Sequence, residues 1–205
     1  MATRITADLG LAGLTVRTLA SELGVTPMAL YRHVADRDGL VRLVTDRIGA
    51  AVRPVFPADA SWEDQARAWA QAQRWVLRQH RGIAAWLMDN GPAGESAYRL
   101  FDVLASTLCE AGFDDATASR GTSLIMSWTF SRIAIEDNAD ARNAARRPGR
   151  ASAFVDGLAD LDPDDYPRAT RLGVEFFTLD PTDIFEAGLG ALLVGLRAQL
   201  VHPGQ

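Results

Sequence analysis

The sequence predicts an all-α protein in two parts, a small N-terminal helix-turn-helix domain over 1–52 and a larger helical body over 58–205. Three observations predict it. Apolar residues recur at helical spacing along most of the chain, and no stretch alternates convincingly in the manner of a strand. Pro54 and Pro57, in "RPVFPADAS", break that pattern and mark a boundary. Residues 19–34, "LASELGVTPMALYRHV", read as two short helices around a tight turn.

Each element has its own signal. Thr15 is placed to cap a helix over 16–23, and Gly24 supplies the turn that needs a positive φ. Thr26 caps the next helix, with Pro27 in its first turn, where a missing N–H costs nothing. Val25, Leu30 and Val34 are expected to pin this second helix to the core. A third helix is expected over 38–51.

In the body, Ser61 opens a long helix with Asp64 three residues on. Its inward stripe is Trp62, Ala66, Trp69, Gln73, Val76 and His80. Gly91, Pro92 and Gly94 then break the pattern, and a helix over 95–111 follows. Asp114 caps the next helix, expected to run to 137 and to lie centrally, since it is apolar or small on most sides. The polar stretch over 138–166 reads as a long mobile loop. A helix over 167–178 follows, and Asp180 with Pro181 starts the last one, which runs to 200.

Charge and composition exclude several function classes. The formal net charge is -5, and all 21 basic residues are Arg. Residues 1–50 carry six Arg against five acids, whereas the rest carries 15 Arg against 21 acids. A mildly basic end on an acidic body is compatible with local contact to DNA. The single Cys, Cys109, excludes an internal disulfide and is expected to be a buried, inert thiol. The sequence shows no signal peptide and no apolar run of spanning length, so a cytoplasmic protein without a membrane partner is expected. It has no phosphate-binding Gly loop, nucleophile–base motif or Cys/His cluster at metal spacing, so an enzyme, a metal site and a cofactor are not expected.

The two-helix hairpin admits two readings, a packing element or a reader of DNA. Its outward positions favour the second. Arg32 can reach a guanine edge or a phosphate, Tyr31 and His33 can donate to phosphate, and Met28 and Ala29 can touch thymine methyls. Arg17, opening the first helix, can reach the same groove.

The stretch "GLTVRTLASELGVTPMALYRHVADRDGLV", residues 13–41, closely resembles the DNA-binding domain of the TetR (tetracycline repressor) family of transcriptional regulators. "SWEDQARAWAQAQRWVLRQHRG", "LCEAGFD", "IEDNAD" and the ending "GLGALLVGLRAQL" resemble the ligand-binding, dimerising domain of the tetracycline repressor subgroup. The resemblance implies DNA contacts from Thr15, Arg17, Pro27, Met28, Ala29, Tyr31, Arg32, His33 and Arg37, with Thr15 and Arg37 as phosphate anchors. It implies a homodimeric, ligand-responsive repressor that holds a palindromic double-stranded operator and is released by a small-molecule effector. The alternative is a member that has lost DNA binding and serves as a ligand- or protein-binding module.

Two departures from the family stand out. Members carry a full helix and a short basic arm before "GLT", but here "MATRITADLGLA" makes that helix about two turns short, and the native start is expected upstream. The tetracycline subgroup holds a magnesium–drug complex with a His and a Glu. Glu136 matches the Glu, but no His stands near 86–88, so a metal-chelate effector is not expected.

Gln73 and His80 interrupt an apolar stripe, and an inward polar side chain needs a partner, either in the protein or in a ligand. With Trp69, Trp86, Met88, Ser127, Trp128 and Ser131 they are the candidate wall of a largely apolar effector pocket. The last helix presents Phe185, Leu189, Leu192, Leu196 and Leu200 on one face, beside a row of Gly188, Ala191 and Gly195. An interior Gly costs about 1 kcal/mol relative to Ala, and close approach of another helix would offset it. The resemblance implies that this helix and the one after Asp114 pair with their copies, which makes Phe185, Gly188, Leu189, Ala191, Leu192, Gly195 and Leu196 the expected dimer interface.

Overall fold

The computed structural model describes residues 1–145, 147 and 150–201, and among these every regular element is an α-helix. In order they are α1 (Ala2–Gly13), α2 (Val16–Leu23), α3 (Pro27–Leu30), α4 (Arg37–Gly49), α5 (Trp62–Leu77), α6 (Ile83–Asn90), α7 (Glu95–Glu110), α8 (Asp115–Ala144), α9 (Arg150–Ala159), α10 (Pro167–Thr178) and α11 (Pro181–Val201). None of the described helices is long and apolar enough to cross a membrane.

The expected caps form. Thr15 accepts from the Thr18 N–H at 2.9 Å, and Gly24 closes α2 with φ 66°. Thr26 accepts from Ala29, Ser61 from Asp64, and Asp114 from Thr117. Each satisfies a backbone donor that a helix start leaves without a partner.

The expected mobile loop over 138–166 is not what the structure has. The α8 helix continues to Ala144, and α9 occupies Arg150–Ala159. The polarity that suggested a loop belongs to the exposed end of a long helix and to the segments on either side of a short, mostly apolar helix that packs on α10. The long stripe also ends earlier than expected. Helix α5 stops at Leu77, His80 lies in the following turn, and a separate α6 starts after Gly82, whose φ is 91°.

Two cores hold the molecule. One gathers Ile5, Leu14, Leu19, Val41 and Ile48 from the N-terminal helices, but Leu77, Ile83, Trp86 and Ile133 close it from the body. The head therefore shares its core with the body across the Pro54–Pro57 break. The other core joins Trp69, Leu104, Ile125, Phe185 and Leu189 from α5, α7, α8 and α11. Helix α1 is braced despite its length. Ile5 and Leu11 are buried, and Arg4 pairs with Glu22 at 2.8 Å. Its last turn kinks at Gly10 (φ 71°), which brings the Leu11 N–H to the Arg81 carbonyl oxygen at 2.7 Å.

Candidate nucleic-acid interface and inner cavity

The DNA-facing candidates sit on the outer side of the head. Pro27, Met28, Tyr31, Arg32, His33, Arg37 and Arg17 are exposed, while Thr15 and Ala29 are partly covered. Regular helix covers only Pro27–Leu30; the chain continues as turns through Tyr31–His33, with the His33 and Val34 N–H groups both donating to the Leu30 carbonyl oxygen. Leu30 and Val34 pack on the core as expected, but Val25 is 44% exposed and pins nothing. Arg17 and Arg32 form no ion pair among the described residues, so both cations are available to an anionic partner. Thr15 spends its oxygen on the α2 cap, and Arg37 donates to the Leu11 carbonyl oxygen at 3.4 Å, tying α4 to α1.

Below the head lies a cavity of about 590 Å³, bounded by α4, α5, α6, α7 and α8. That size suits a drug-sized ligand. Four of the eight expected wall residues line it: Trp69, Gln73, Met88 and Ser127. The other four lie elsewhere. His80 Nδ1 is 2.8 Å from Thr6 Oγ1 on α1. Trp86 is buried in the shared core under the Arg42 guanidinium, 5.2 Å from its ring centroid. Trp128 donates to the Phe185 carbonyl oxygen at 3.1 Å, and Ser131 donates to the Trp128 carbonyl oxygen at 3.0 Å. His80, Trp128 and Ser131 thus each have a protein partner.

Several wall residues were not among the candidates, including Thr45 and Gly49 of α4, Tyr98 and Phe101 of α7, and Thr122 and Met126 of α8. For α8 a signal existed. Ser119, Thr122, Ser123, Met126 and Ser127 fall at spacings of three and four, which makes one helix face. For α4 no local signal existed, because its role as a wall depends on how the head seats on the body.

That seat is polar. Gly94 starts α7 without a side-chain cap of its own, and Asp46 of α4 supplies one from outside. Asp46 Oδ1 accepts from the Ser96 N–H at 2.9 Å and from Ser96 Oγ at 2.6 Å. Where α5 gives way to α6, Arg78 bonds Asp137 at 2.5 Å and Asp140 at 2.7 Å, and the Gly82 N–H donates to Asp137 at 2.8 Å. Glu136 takes Arg74 at 3.0 Å and Arg78 at 3.1 Å through Oε2 and does not line the cavity; its buried Oε1 has no partner among the described residues.

The interface expected on α11 needs correction. Phe185, Leu189 and Leu196 are buried in the chain's own core, so they are not available to a second copy. Gly188 faces the ring of Trp128, and a Cβ there would lie 1.9 Å from it. Of the expected set, Ala191 and Gly195 are exposed and Leu192 is partly so. Cys109 also departs from expectation, because its thiol is exposed.

Residues 56–200 match the family described as tetracyclin repressor-like, C-terminal domain. The chain belongs to the tetracycline repressor-like family. The tetracycline repressor protein class A from transposon 1721 of Escherichia coli is 29% identical over 195 residues, which are 92% of this chain and 83% of that protein. An HTH-type transcriptional regulator of Saccharopolyspora erythraea is 27% identical over 148 residues, 69% of this chain and 63% of that protein's length. Among solved structures, the Streptomyces coelicolor TetR family protein ActR in complex with (S)-DNPA superposes with a TM-score of 0.83 at 26% identity, covering 96% of this chain and 93% of that one. Its complex with actinorhodin gives a TM-score of 0.79 at 28% identity, with the same coverage. The chain thus joins a family of transcriptional regulators, with the head as its helix-turn-helix part and the cavity walled by its C-terminal part and α4 of the head.

Proposed function

We propose that this chain is a homodimeric repressor whose two heads read a palindromic operator and whose inner cavity takes a small-molecule effector that releases the DNA. The observation that carries the DNA half is the outer side of α3 and its following turn. Met28, Tyr31, Arg32 and His33 are exposed together, beside an unpaired Arg17. In the docking geometry of this motif those positions enter the major groove, and paired heads meet half-sites about 34–36 Å apart. The relatives' names and ActR's solved complexes with (S)-DNPA and actinorhodin support the ligand-responsive half.

The cavity supports a coupling route. Thr45 and Gly49 belong both to its wall and to α4, the helix that closes the head, and Asp46 between them caps α7. A ligand that displaces this wall moves the head, and DNA in turn disfavours the ligand by the same factor.

Selection of bound sequences from a random DNA pool, followed by gel shifts across salt, tests the reading. Enrichment of a palindrome with a steep salt slope is the expected result. Arg32→Ala should weaken the selected site by about tenfold or more, the scale of one base or phosphate contact. No enrichment would overturn the operator reading and favour a member that binds only ligand or protein.

A further inference from the structure

Among the described residues, no Asp, Glu, Arg or His lines the cavity. The charges around it are engaged elsewhere: Asp46 with Ser96, Arg42 with the Pro92 carbonyl oxygen, and Arg74 and Arg78 with Glu136. An ionised ligand group would lose water on entry and find no counter-charge, which is costly in a protein interior.

Neutral polar groups, by contrast, wait there without partners. Gln73 is buried, and its amide has no hydrogen-bond partner among the described residues. Thr45 and Thr122 are buried wall residues, and neither hydroxyl has a partner among the described residues. Helical threonines have an alternative that their neighbours use. Thr107 donates to the Val103 carbonyl oxygen at 2.9 Å, and Thr129 donates to that of Ile125 at 2.7 Å. Thr45 and Thr122 do not take it. A buried hydroxyl left unpaired destabilises its site, and a ligand oxygen in reach removes the penalty. Both hydroxyl oxygens are buried, so each side chain must turn about χ1 to present its oxygen to a ligand.

We infer that the effector is an uncharged, largely aromatic molecule whose oxygen atoms take hydrogen bonds from Gln73, Thr45 and Thr122. The rings of Trp69, Phe101 and Phe130 supply its apolar surroundings. This rests on the reading of the cavity as the effector site and names the chemistry that site selects. Because Thr45 stands on α4, such a ligand bonds directly to the helix that closes the head.

The test uses matched pairs of probes, flavone with flavone-8-carboxylate and 9-fluorenone with fluorenone-2-carboxylate. They are titrated into the 205-residue chain and followed by tryptophan quenching and thermal shift. Each ketone should bind at least about tenfold more tightly than its carboxylate. Thr45→Val and Thr122→Val should each weaken the ketones by about fivefold, while the unliganded Tm holds or rises because an unpaired hydroxyl has become a methyl. Gln73→Lys should bring the carboxylates to at least the ketones' affinity. Carboxylates that bind wild type as tightly as the ketones overturn the inference, and so do valine variants with unchanged affinity. If neither member of either pair binds while the chain still selects an operator, the cavity reading fails and the inference falls with it.

Discussion

Thr6 has one hydroxyl proton, and it goes to the Thr3 carbonyl oxygen at 2.8 Å. With that bond in place, His80, 2.8 Å away, meets Thr6 Oγ1 as a donor in its Nδ1–H tautomer. That bond ties the turn after α5 to the first helix of the head. Burial lowers the imidazole pKa below its ordinary value of 6.5, so the fold favours the neutral ring. The unfolded chain then binds the proton first. The contribution is full above about pH 6.5 and is lost as pH falls through the lowered folded value. Urea midpoints should drop between pH 7.5 and 5, and His80→Asn, which keeps a donor without the titration, should flatten that slope. The sequence showed that His80 interrupts an apolar stripe. It could not show that the partner is Thr6, because 74 residues separate the two and only folding brings them together.

Helix starts were the most legible elements. Thr15, Thr26, Ser61 and Asp114 each act on an N–H three residues ahead, so a short window of sequence contains the whole interaction. Helix α9 was not legible, since its mostly apolar stretch is short and set between polar segments rich in Arg, Asp and Pro, and its packing partner lies in α10. Leu158 is buried against Gly173 of α10, where a Cβ would lie 2.2 Å from the leucine Cδ1. Gly188 makes the same point for α11. Its cost in the helix is offset inside the chain, where it admits Trp128 of α8, and not by a second copy. Gly188→Ala must displace that ring, so it should destabilise by about 1–3 kcal/mol despite the better helix propensity of Ala. A chemical denaturation curve measures this. A gain in stability would show that the α8–α11 crossing does not depend on the glycine.

At the scale of the whole molecule, the faces left for pairing differ from those first expected. With Phe185, Leu189 and Leu196 turned inward, α11 leaves Ala187, Ala191, Val194 and Ala198 exposed, and Leu124 and Ile135 are exposed on α8. Val194 is 72% exposed and packs on little within its own chain. If α11 pairs with its copy, Val194→Arg should convert the dimer to monomer at micromolar concentration with little change in helix content. Sedimentation velocity with circular dichroism reads both, and a variant that sediments as wild type would place the interface elsewhere. The sequence by itself determined the all-α class, the cap positions, the head's outward Tyr31, Arg32 and His33, and the family, because each depends on residues close together in the chain. Only the tertiary structure decided which inward polar groups meet protein and which meet empty space, and which face of α11 remains free. Those outcomes depend on what the neighbouring helices bring: Thr6 to His80, Trp128 to Gly188, and Thr45 of the head to the wall of the body's cavity.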